Sequence, residues 1–402
     1  MPSTASRLNY IKTSPIRRIA SLLDEVRRRS DIISFGGGAP SLPPPKEIID
    51  YLVDKLRNDT QKTVGYCGTR GLPELRELIS NDLKENYGIE YDPSSEIIIT
   101  DGGTEGIFLA LSSIIEKGDE VIIMDPTYLG YSEAIKLLEG RVRKIPVKVE
   151  DGYQPNLEDL KHIISPVTKA FILLSPDNPT GRIIKEEFVK GLVDLAVDND
   201  FWIIYDAAYK YITYDAVNPW VDKYSGARER TITINTFSKE ASLPGFRLGY
   251  STGPKEIIDA MEKIKQYVSL APDTVGQYAL LKFYQDGIKE KYLKDIVIPT
   301  YKKRRDLMYS LIKEHLPDAK TVKPEGAFYF FVDISHYLEL MNRDDEEFAN
   351  RLLYRKNVIV IPGSHFGDTG RNHIRMTFVS ESEERIIEGL RRIGAFVFSY
   401  TL

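Results

Sequence analysis

The sequence is short of the residues that define several classes of protein. Cysteine occurs once in 402 residues, as Cys67, so no disulfide can form within the chain, and a reducing cytoplasm is the expected location. The longest apolar runs are no longer than strands, and residues 1–10 lack the basic and apolar regions of a signal peptide. We therefore expect a cytoplasmic protein that does not enter or cross a membrane.

An excess of positive charge is also missing. The 54 Lys and Arg residues are outnumbered by 59 Asp and Glu residues and are spread along the whole chain, which gives no footprint for nucleic acid. The five histidines show no spacing typical of metal ligands, so no metal site is expected. Glutamine is scarce as well, with five residues beside the one cysteine, and this composition is typical of a thermophile.

Short apolar runs alternate with helix-length segments between residues 63 and 253. Strands that alternate with helices predict crossover connections, and therefore a mostly parallel sheet that is covered on both faces. The central part of the chain is thus predicted to be an α/β domain. Its expected strands are residues 96–100, 121–124, 170–175, 202–205 and 231–235.

The two ends of the chain show different patterns. Residues 11–29 have apolar side chains at helical spacing, which predicts an amphipathic helix. A long helical stretch near residues 288–316 precedes three apolar runs, which predict strands of a smaller α+β domain at residues 328–332, 358–361 and 373–378. We expect three regions: an N-terminal arm with part of the small domain (1–50), a large domain that contains the predicted parallel sheet (51–295) and a C-terminal small domain (296–402).

A glycine-containing turn follows the first expected strand of the α/β domain. The sequence Asp101-Gly102-Gly103-Thr104 leads into a helical pattern, so backbone N–H groups and the positive end of the helix dipole would converge there. Such a turn suits a phosphate, although an ordinary tight turn explains the same residues. The spacings of dinucleotide-binding and Walker A motifs are absent from the turn, so the predicted anion site does not require a nucleotide.

Three further expected strands end in polar residues of different kinds. Asn178 follows one strand, Asp206 and Tyr209 follow the next, and Lys239 follows the third. Because the carboxyl ends of parallel strands form the ligand crevice of an open sheet, these side chains can meet although they are far apart in sequence. An amide, an acid, a phenol and an amine would then share one pocket.

This set of side chains matches the chemistry of pyridoxal phosphate. A lysine forms a Schiff base with the aldehyde, a carboxylate keeps the pyridine nitrogen protonated, and phenol and amide groups contact the ring oxygen. Lys239, Asp206, Tyr209 and Asn178 supply these groups. Arg247 can return to the phosphate because proline and glycine in the intervening segment permit a tight loop.

Several segments in this order resemble the class I and II aminotransferases of fold type I. The most specific is Ser238-Lys239 followed by PGFRLG at residues 244–249, and NPTG at 178–181 and DAAY at 206–209 reinforce it. The resemblance extends from residue 34 to residue 378. It implies an α/β enzyme that has a mostly parallel central sheet in a large domain, a smaller α+β domain, and pyridoxal 5′-phosphate as its cofactor.

The resemblance also implies a role for each candidate residue. Lys239 corresponds to the Schiff-base lysine that also moves a proton, and Asp206 to the carboxylate at the pyridine nitrogen. Tyr209 and Asn178 correspond to the side chains at the ring hydroxyl, and Tyr128 to the aromatic ring that stacks on the cofactor. The residues expected to bind the phosphate are Gly102, Gly103, Thr104, Thr236, Ser238 and Arg247.

Contacts to the substrate and to a second subunit are implied as well. Arg375 corresponds to the arginine that clamps the substrate α-carboxylate beside Asn178, with Gly38 nearby. Tyr66 corresponds to a tyrosine that reaches the phosphate of the neighbouring subunit, so a homodimer with shared sites is expected. The segment around Arg17 resembles the branch of 2-aminoadipate, aromatic (kynurenine) and aspartate aminotransferases. We expect Arg17 to bind the distal carboxylate of acidic substrates; the alternative is a solvated or interface arginine.

The expected reaction moves an amino group between an L-amino acid and a 2-oxo acid by a ping-pong mechanism. Glutamate and 2-oxoglutarate are the expected shared pair. The alternative is a β-eliminating C–S lyase, which would use the same cofactor residues but release pyruvate and ammonia. A transcriptional regulator with an aminotransferase-like domain is disfavoured, because the 33 residues before Ser34 are too few for a winged helix-turn-helix domain.

Overall fold

The computed structural model describes residues 3–11, 13 and 31–400. Apart from residues 11 and 13, the predicted helix over residues 11–29 lies outside these ranges, and so does Arg17.

The described strands, in chain order, are β1 (Ile33–Ser34), β2 (Ile97–Thr100), β3 (Glu120–Asp125), β4 (Arg141–Pro146), β5 (Thr168–Leu174), β6 (Trp202–Asp206), β7 (Thr231–Thr236), β8 (Gly249–Thr252), β9 (Lys320–Thr321), β10 (Tyr329–Asp333), β11 (Val358–Ile359), β12 (Ile361–Pro362) and β13 (His373–Thr377).

The described α-helices are α1 (Lys46–Asn58), α2 (Thr60–Val64), α3 (Pro73–Tyr87), α4 (Gly103–Ile114), α5 (Gly130–Leu137), α6 (Leu157–Ile163), α7 (Glu186–Asp198), α8 (Phe237–Glu240), α9 (Lys255–Val268), α10 (Thr274–Phe283), α11 (Ile288–Lys291), α12 (Ile298–His315), α13 (Ser335–Met341), α14 (Asp345–Lys356) and α15 (Glu383–Phe398). Short 3₁₀-helices occur at Ser6–Tyr10, Val149–Asp151, Val221–Lys223, Pro244–Phe246 and Gly363–Phe366, and a π-helix spans Tyr292–Val297.

A sheet of seven strands forms the centre of the described residues. Its order is β2-β8-β7-β6-β5-β3-β4, and every neighbouring pair is parallel except the two pairs that involve β8. The inner strands β3, β5 and β6 are buried almost throughout, as expected for a sheet that helices cover on both faces. The predicted α/β class with a mostly parallel sheet is therefore confirmed.

Two strands of this sheet are absent from the sequence-based prediction. Strand β4 lies at the edge, and most of its side chains, including Arg141 and Lys144, are exposed. Charged residues are common on edge strands, where they prevent pairing with another chain, and they hide the apolar pattern. Strand β8 has the short sequence Gly-Tyr-Ser-Thr, which contains no apolar run.

The carboxyl ends of β5, β6 and β7 lie next to one another. In the parallel register Leu174 pairs with Asp206, and Asp206 pairs with Ile234. The segments that carry Asn178, Tyr209 and Lys239 therefore leave the sheet at the same edge. This arrangement fulfils the geometric condition for a shared pocket.

A second, antiparallel sheet of four strands lies in the C-terminal part of the described chain, in the order β12-β13-β10-β9. Strand β1 pairs in parallel with β11. The predicted strand over residues 358–361 is observed as two short strands, β11 and β12, which belong to different sheets. The predicted helix near residues 288–316 is observed as α11, the π-helix and α12 in succession. No helix in the described ranges is long and apolar enough to span a bilayer.

Candidate active site

A cavity of about 290 Å³ lies at the carboxyl ends of β5, β6 and β7. Residues of the central sheet line one part of it, and Tyr329 and Arg375 of the antiparallel sheet line another. The structure brings most of the predicted site residues to this cavity. They are Gly38, Gly103, Thr104, Tyr128, Asn178, Asp206, Tyr209, Thr236, Ser238, Lys239, Arg247 and Arg375.

Lys239 lies in the short helix α8, which follows β7 directly. The hydroxyl of Thr236 caps this helix by accepting a hydrogen bond from the amide of Ser238 at 3.3 Å. Nζ of Lys239 donates a hydrogen bond of 2.6 Å to the carbonyl oxygen of Gly38. Burial lowers the pKa of Lys239, so its amine loses a proton more readily than the amine of an exposed lysine.

Asp206 ends strand β6 with its carboxylate held from two sides. The phenol of Tyr131 donates a hydrogen bond of 2.6 Å to Oδ2, and the amide of Ala208 donates one of 3.0 Å to Oδ1. Burial raises the pKa of Asp206, while these two hydrogen bonds and the nearby Lys239 oppose that rise. A carboxylate in this position can pair with a cationic ring nitrogen.

Tyr209 contacts a second tyrosine from the antiparallel sheet. Its hydroxyl lies 2.9 Å from the hydroxyl of Tyr329, and burial raises its pKa well above the usual value, so the phenol stays protonated. Gly38 is required beside this pair, because a β-carbon at that position would lie 2.5 Å from the hydroxyl oxygen of Tyr329. The backbone that carries the Lys239 acceptor is thereby held against the two phenols.

Arg375 is a fully buried side chain of strand β13 that lines the cavity. Nη1 donates to Oδ1 of Asn178 at 3.1 Å, and Nη2 donates to the carbonyl oxygen of Gly36 at 2.7 Å. Its guanidinium carbon lies 4.4 Å from the centre of the Tyr329 ring. Nε has no hydrogen-bond partner among the residues that the structure describes. A buried guanidinium with unused donor capacity suits a carboxylate ligand.

The predicted phosphate end is built around the turn before α4. Gly102 has φ 83°, and a β-carbon there would lie 2.7 Å from Nη2 of Arg247. Arg247 itself adopts a left-handed conformation with φ 53°, which places its guanidinium against the turn. The hydroxyls of Thr236 and Ser238 lie 3.0 Å apart, and both residues line the cavity. The N-terminus of α4, an arginine and two hydroxyls together form an anion-binding arrangement.

Two of the predicted residues that the structure describes do not line the cavity, and a third lies outside the described ranges. Gly102 lies in the turn just before the lining residue Gly103, the side chain of Tyr66 is 90% exposed, and Arg17 lies outside the described ranges. The exposure of Tyr66 within one chain leaves its predicted contact with a second subunit untested.

Two lining tyrosines, Tyr131 and Tyr329, escape the sequence-based prediction. Tyr131 lies in the first turn of α5, three residues after the predicted stacking residue Tyr128, and this proximity could have indicated it. Tyr329 lies in an apolar run, Phe-Tyr-Phe-Phe, that is typical of a core strand. The pattern around Tyr329 therefore contains no signal of a functional residue.

Comparisons with known proteins identify the family to which the chain belongs. A family model described as aminotransferase class I and II matches residues 30–393. This chain is a class I and II aminotransferase. It is 35% identical over 395 residues to the probable aspartate/prephenate aminotransferase of Aquifex aeolicus, with 97% of each chain covered. It is 30% identical over 391 residues to the aromatic-amino-acid aminotransferase 2 of Thermococcus litoralis, again with 97% of each chain covered.

Among solved structures, the aminotransferase is similar to the aspartate aminotransferase of Thermus thermophilus with maleate. The TM-score is 0.91 at 30% sequence identity, over 98% of this chain and 100% of that one. The alternative of a C–S lyase is not favoured by these relatives, which are named as aminotransferases. Thermophilic sources such as Thermus and Pyrococcus are represented among them, in agreement with the composition.

Pyridoxal phosphate is the cofactor of this family, and the residues present fit it. A half-buried amine, Lys239, whose pKa burial lowers, is available for the aldehyde, and a buried carboxylate, Asp206, is available for the ring nitrogen. The glycine turn at Gly102 has no room for a side chain beside Arg247, which leaves backbone N–H groups for the phosphate. The aminotransferase is therefore a pyridoxal-phosphate-dependent transaminase that acts on amino acid and 2-oxo acid substrates.

Proposed function

We propose that the cavity residues carry out this transamination in the roles that the sequence predicts for them. The observation that carries the proposal is the meeting of a half-buried amine, a buried carboxylate and a buried guanidinium, from Lys239, Asp206 and Arg375, around one cavity. Buried ionisable groups with shifted pKa values that line a cleft are typical of functional sites. The bound cofactor supplies an aldehyde and an electron-accepting ring.

In this proposal Lys239 is the covalent anchor of the cofactor and the base. Because burial lowers the pKa of its amine, Nζ would take up the proton of the substrate α-carbon and hold it for the later proton transfer. The contact with the carbonyl of Gly38 gives the amine a fixed position when it is free. Asp206 would keep the ring nitrogen protonated, and Tyr209 and Asn178 would hold the ring hydroxyl.

Arg375 binds the α-carboxylate that all amino acid substrates share. Its hydrogen bonds to Asn178 and Gly36 fix the guanidinium plane before the substrate arrives, so little entropy is lost on binding. The residues that would hold the phosphate are Gly102, Gly103, Thr104, Thr236, Ser238 and Arg247. Tyr128 would lie against the ring of the cofactor. We propose glutamate and 2-oxoglutarate as one substrate pair, and acidic and aromatic amino acids as the other substrates, as the names of the relatives suggest.

We further propose a cytoplasmic homodimer in which Tyr66 reaches the phosphate of the other subunit. The exposed phenol of Tyr66 is free to contact a second chain, and this supports the proposal. Coexpression of Lys239→Ala with Tyr66→Phe subunits tests it. A hybrid dimer would contain one site with both native residues, so activity should exceed that of either variant alone. Hybrids with no gain would contradict the shared site.

Borohydride reduction of the holoenzyme tests the central role. Reduction fixes the cofactor to the lysine that holds it, and peptide mapping should locate the label on Lys239. The Lys239→Ala variant should fold, bind the cofactor without a covalent link and take up no label. A label on another lysine of the wild-type enzyme would overturn the assignment. A screen of amino acids against the cofactor absorbance then identifies the substrates.

A further inference from the structure

A buried ion pair lies directly behind the cavity. Lys210 follows Tyr209 in the chain, and Glu240 follows Lys239. Nζ of Lys210 lies 2.7 Å from Oε2 of Glu240, and the two side chains are only 2% and 3% exposed. Neither side chain lines the cavity, so the pair faces away from substrate and cofactor. The residues that follow Tyr209 and Lys239 in the chain are thus bound to each other outside the cavity.

The pair connects two separate segments of backbone. Lys210 belongs to the turn after β6, where its amide donates a hydrogen bond of 3.0 Å to the carbonyl oxygen of Ala207. Glu240 is the last residue of α8, which follows β7. Strands β6 and β7 are parallel neighbours, so the ion pair bridges the two segments just beyond the point where strand pairing ends.

Two aromatic rings lie close to the amine of Lys210, and both side chains of the pair are shielded from solvent. Nζ of Lys210 lies 4.6 Å from the centre of the Tyr211 ring and 5.2 Å from that of the Tyr250 ring. Oε1 of Glu240 has no hydrogen-bond partner in the described part of the chain. Each charge therefore depends mainly on the other, and separating them would leave an uncompensated buried charge. The cost of an unpaired buried charge therefore opposes any movement of the turn after β6 relative to α8.

A buried ion pair of this kind contributes little to stability, because desolvation offsets the attraction. The ion pair instead restrains geometry, because the two charged side chains stay paired only in one relative position of the segments that carry them. We propose that the Lys210–Glu240 ion pair is a positioning device that fixes the phenol of Tyr209 relative to the amine of Lys239. This inference rests on the proposed function of Tyr209 and Lys239, and it adds two residues that touch neither substrate nor cofactor.

The deciding variant replaces both partners, Lys210→Met with Glu240→Leu. Removing both charges leaves no unpaired group, so the holoenzyme should fold and melt close to the wild type. The single-turnover rate with glutamate should nevertheless fall ~10-fold or more, because proton transfer is sensitive to small displacements of the base. The pH at which the absorbance of the bound cofactor changes should also shift, since the surroundings of the Lys239 nitrogen change. KM should change less than kcat.

Two further variants keep the test decisive if the double variant fails to fold. Lys210→Arg retains the charge and the pair, and it should keep most of the wild-type rate. Glu240→Gln retains the shape but removes one charge, and it should be both slower and less stable than the wild type. The matched control is Arg305→Met, which removes a fully buried charge paired with Asp215 at 2.6 Å, away from the cavity. The control should melt lower with an unchanged single-turnover rate.

A wild-type single-turnover rate and a wild-type cofactor pH profile in the double variant would overturn the inference. A single-turnover rate in Lys210→Arg as low as that of the double variant would also overturn it. Glu240→Gln and Arg305→Met can also be compared at the same loss of melting temperature. If their single-turnover rates fell equally, the ion pair would stabilise the fold without positioning Tyr209 and Lys239. These outcomes are separate from a failure of the proposed function, which would appear as a borohydride label on a lysine other than Lys239.

Discussion

The phenol of Tyr131 donates a hydrogen bond of 2.6 Å to the carboxylate of Asp206 inside the buried cavity. Hydrogen bonds to a charged acceptor are stronger than those between neutral groups, and this one favours the ionised form of Asp206. Helix α5 therefore fixes the orientation and the charge of the carboxylate proposed to pair with the ring nitrogen.

Replacing Tyr131 by Phe should remove this hydrogen bond and keep the ring. A hydrogen bond to a charged group contributes ~1.5–3 kcal/mol, so we expect a ~10- to 100-fold loss in kcat/KM. The pKa of Asp206 should rise further, which moves the acid-side loss of activity to higher pH. Steady-state pH profiles measure both effects. Tyr153→Phe is the control, since its buried hydroxyl donates to the carbonyl of Phe331 outside the cavity.

Asp206→Asn should keep the shape of the side chain and remove its charge. Without the carboxylate the ring nitrogen loses its proton, electron withdrawal falls, and removal of the substrate α-proton becomes slower. We expect a loss of at least ~100-fold, or ~3 kcal/mol of barrier, with cofactor binding less affected. Single-turnover absorbance measurements with glutamate give the rate. A rate equal to that of the wild type would show that the carboxylate does not act on the ring.

Asp177 predicts a pH dependence of stability. Burial raises its pKa to about 7, although Thr180 donates hydrogen bonds to Oδ2 from its hydroxyl (2.6 Å) and its amide (3.1 Å). The folded protein then binds a proton more tightly than the unfolded chain, whose value is near 3.8. Asp177 therefore lowers stability as the pH rises from about 4 to about 7, and the full penalty is present above that range.

Asp177→Asn removes this titration and keeps an acceptor for Thr180. The melting temperature of the variant minus that of the wild type should grow between about pH 4 and pH 7 and stay constant above pH 7. Asp222→Asn provides a comparison, because burial raises the pKa of Asp222 to about 6 and its difference should reach the plateau earlier. A difference that is flat across the whole range would mean that Asp177 is ionised throughout.

The sequence predicts the part of the site that depends on parallel strands. Asn178 and Lys239 each follow a strand and Asp206 ends one, and strand order alone brings such positions together. Tyr329 could not be found in this way, because it reaches the cavity from the antiparallel sheet and its sequence is that of a core strand. The Lys210–Glu240 pair could not be found either, since a sequence does not show which side chains turn away from the cavity. Edge strand β4 could not be predicted because its charged side chains interrupt the apolar pattern of a strand. The domain boundaries at residues 50 and 295, and the roles of the site residues, stay predictions.

Arg17 is the remaining candidate for substrate selection. Among the described residues that line the cavity, the cationic side chains are Lys239, Arg247 and Arg375. These three are already proposed to bind the cofactor aldehyde, the phosphate and the α-carboxylate, respectively. A distal carboxylate therefore needs a cation from outside this set.

Arg17→Ala should accordingly lower kcat/KM for glutamate or 2-aminoadipate by ~10- to 100-fold, which corresponds to the ~1.5–3 kcal/mol of a hydrogen bond between charged groups. The values for phenylalanine and leucine should change little, because these substrates have no second carboxylate. Arg18→Ala is the matched control, since it removes the same charge one position along the chain and should leave the ratio of acidic to aromatic substrates unaltered. Equal losses for acidic and neutral substrates in Arg17→Ala would assign Arg17 to the structure of the protein rather than to the choice of substrate.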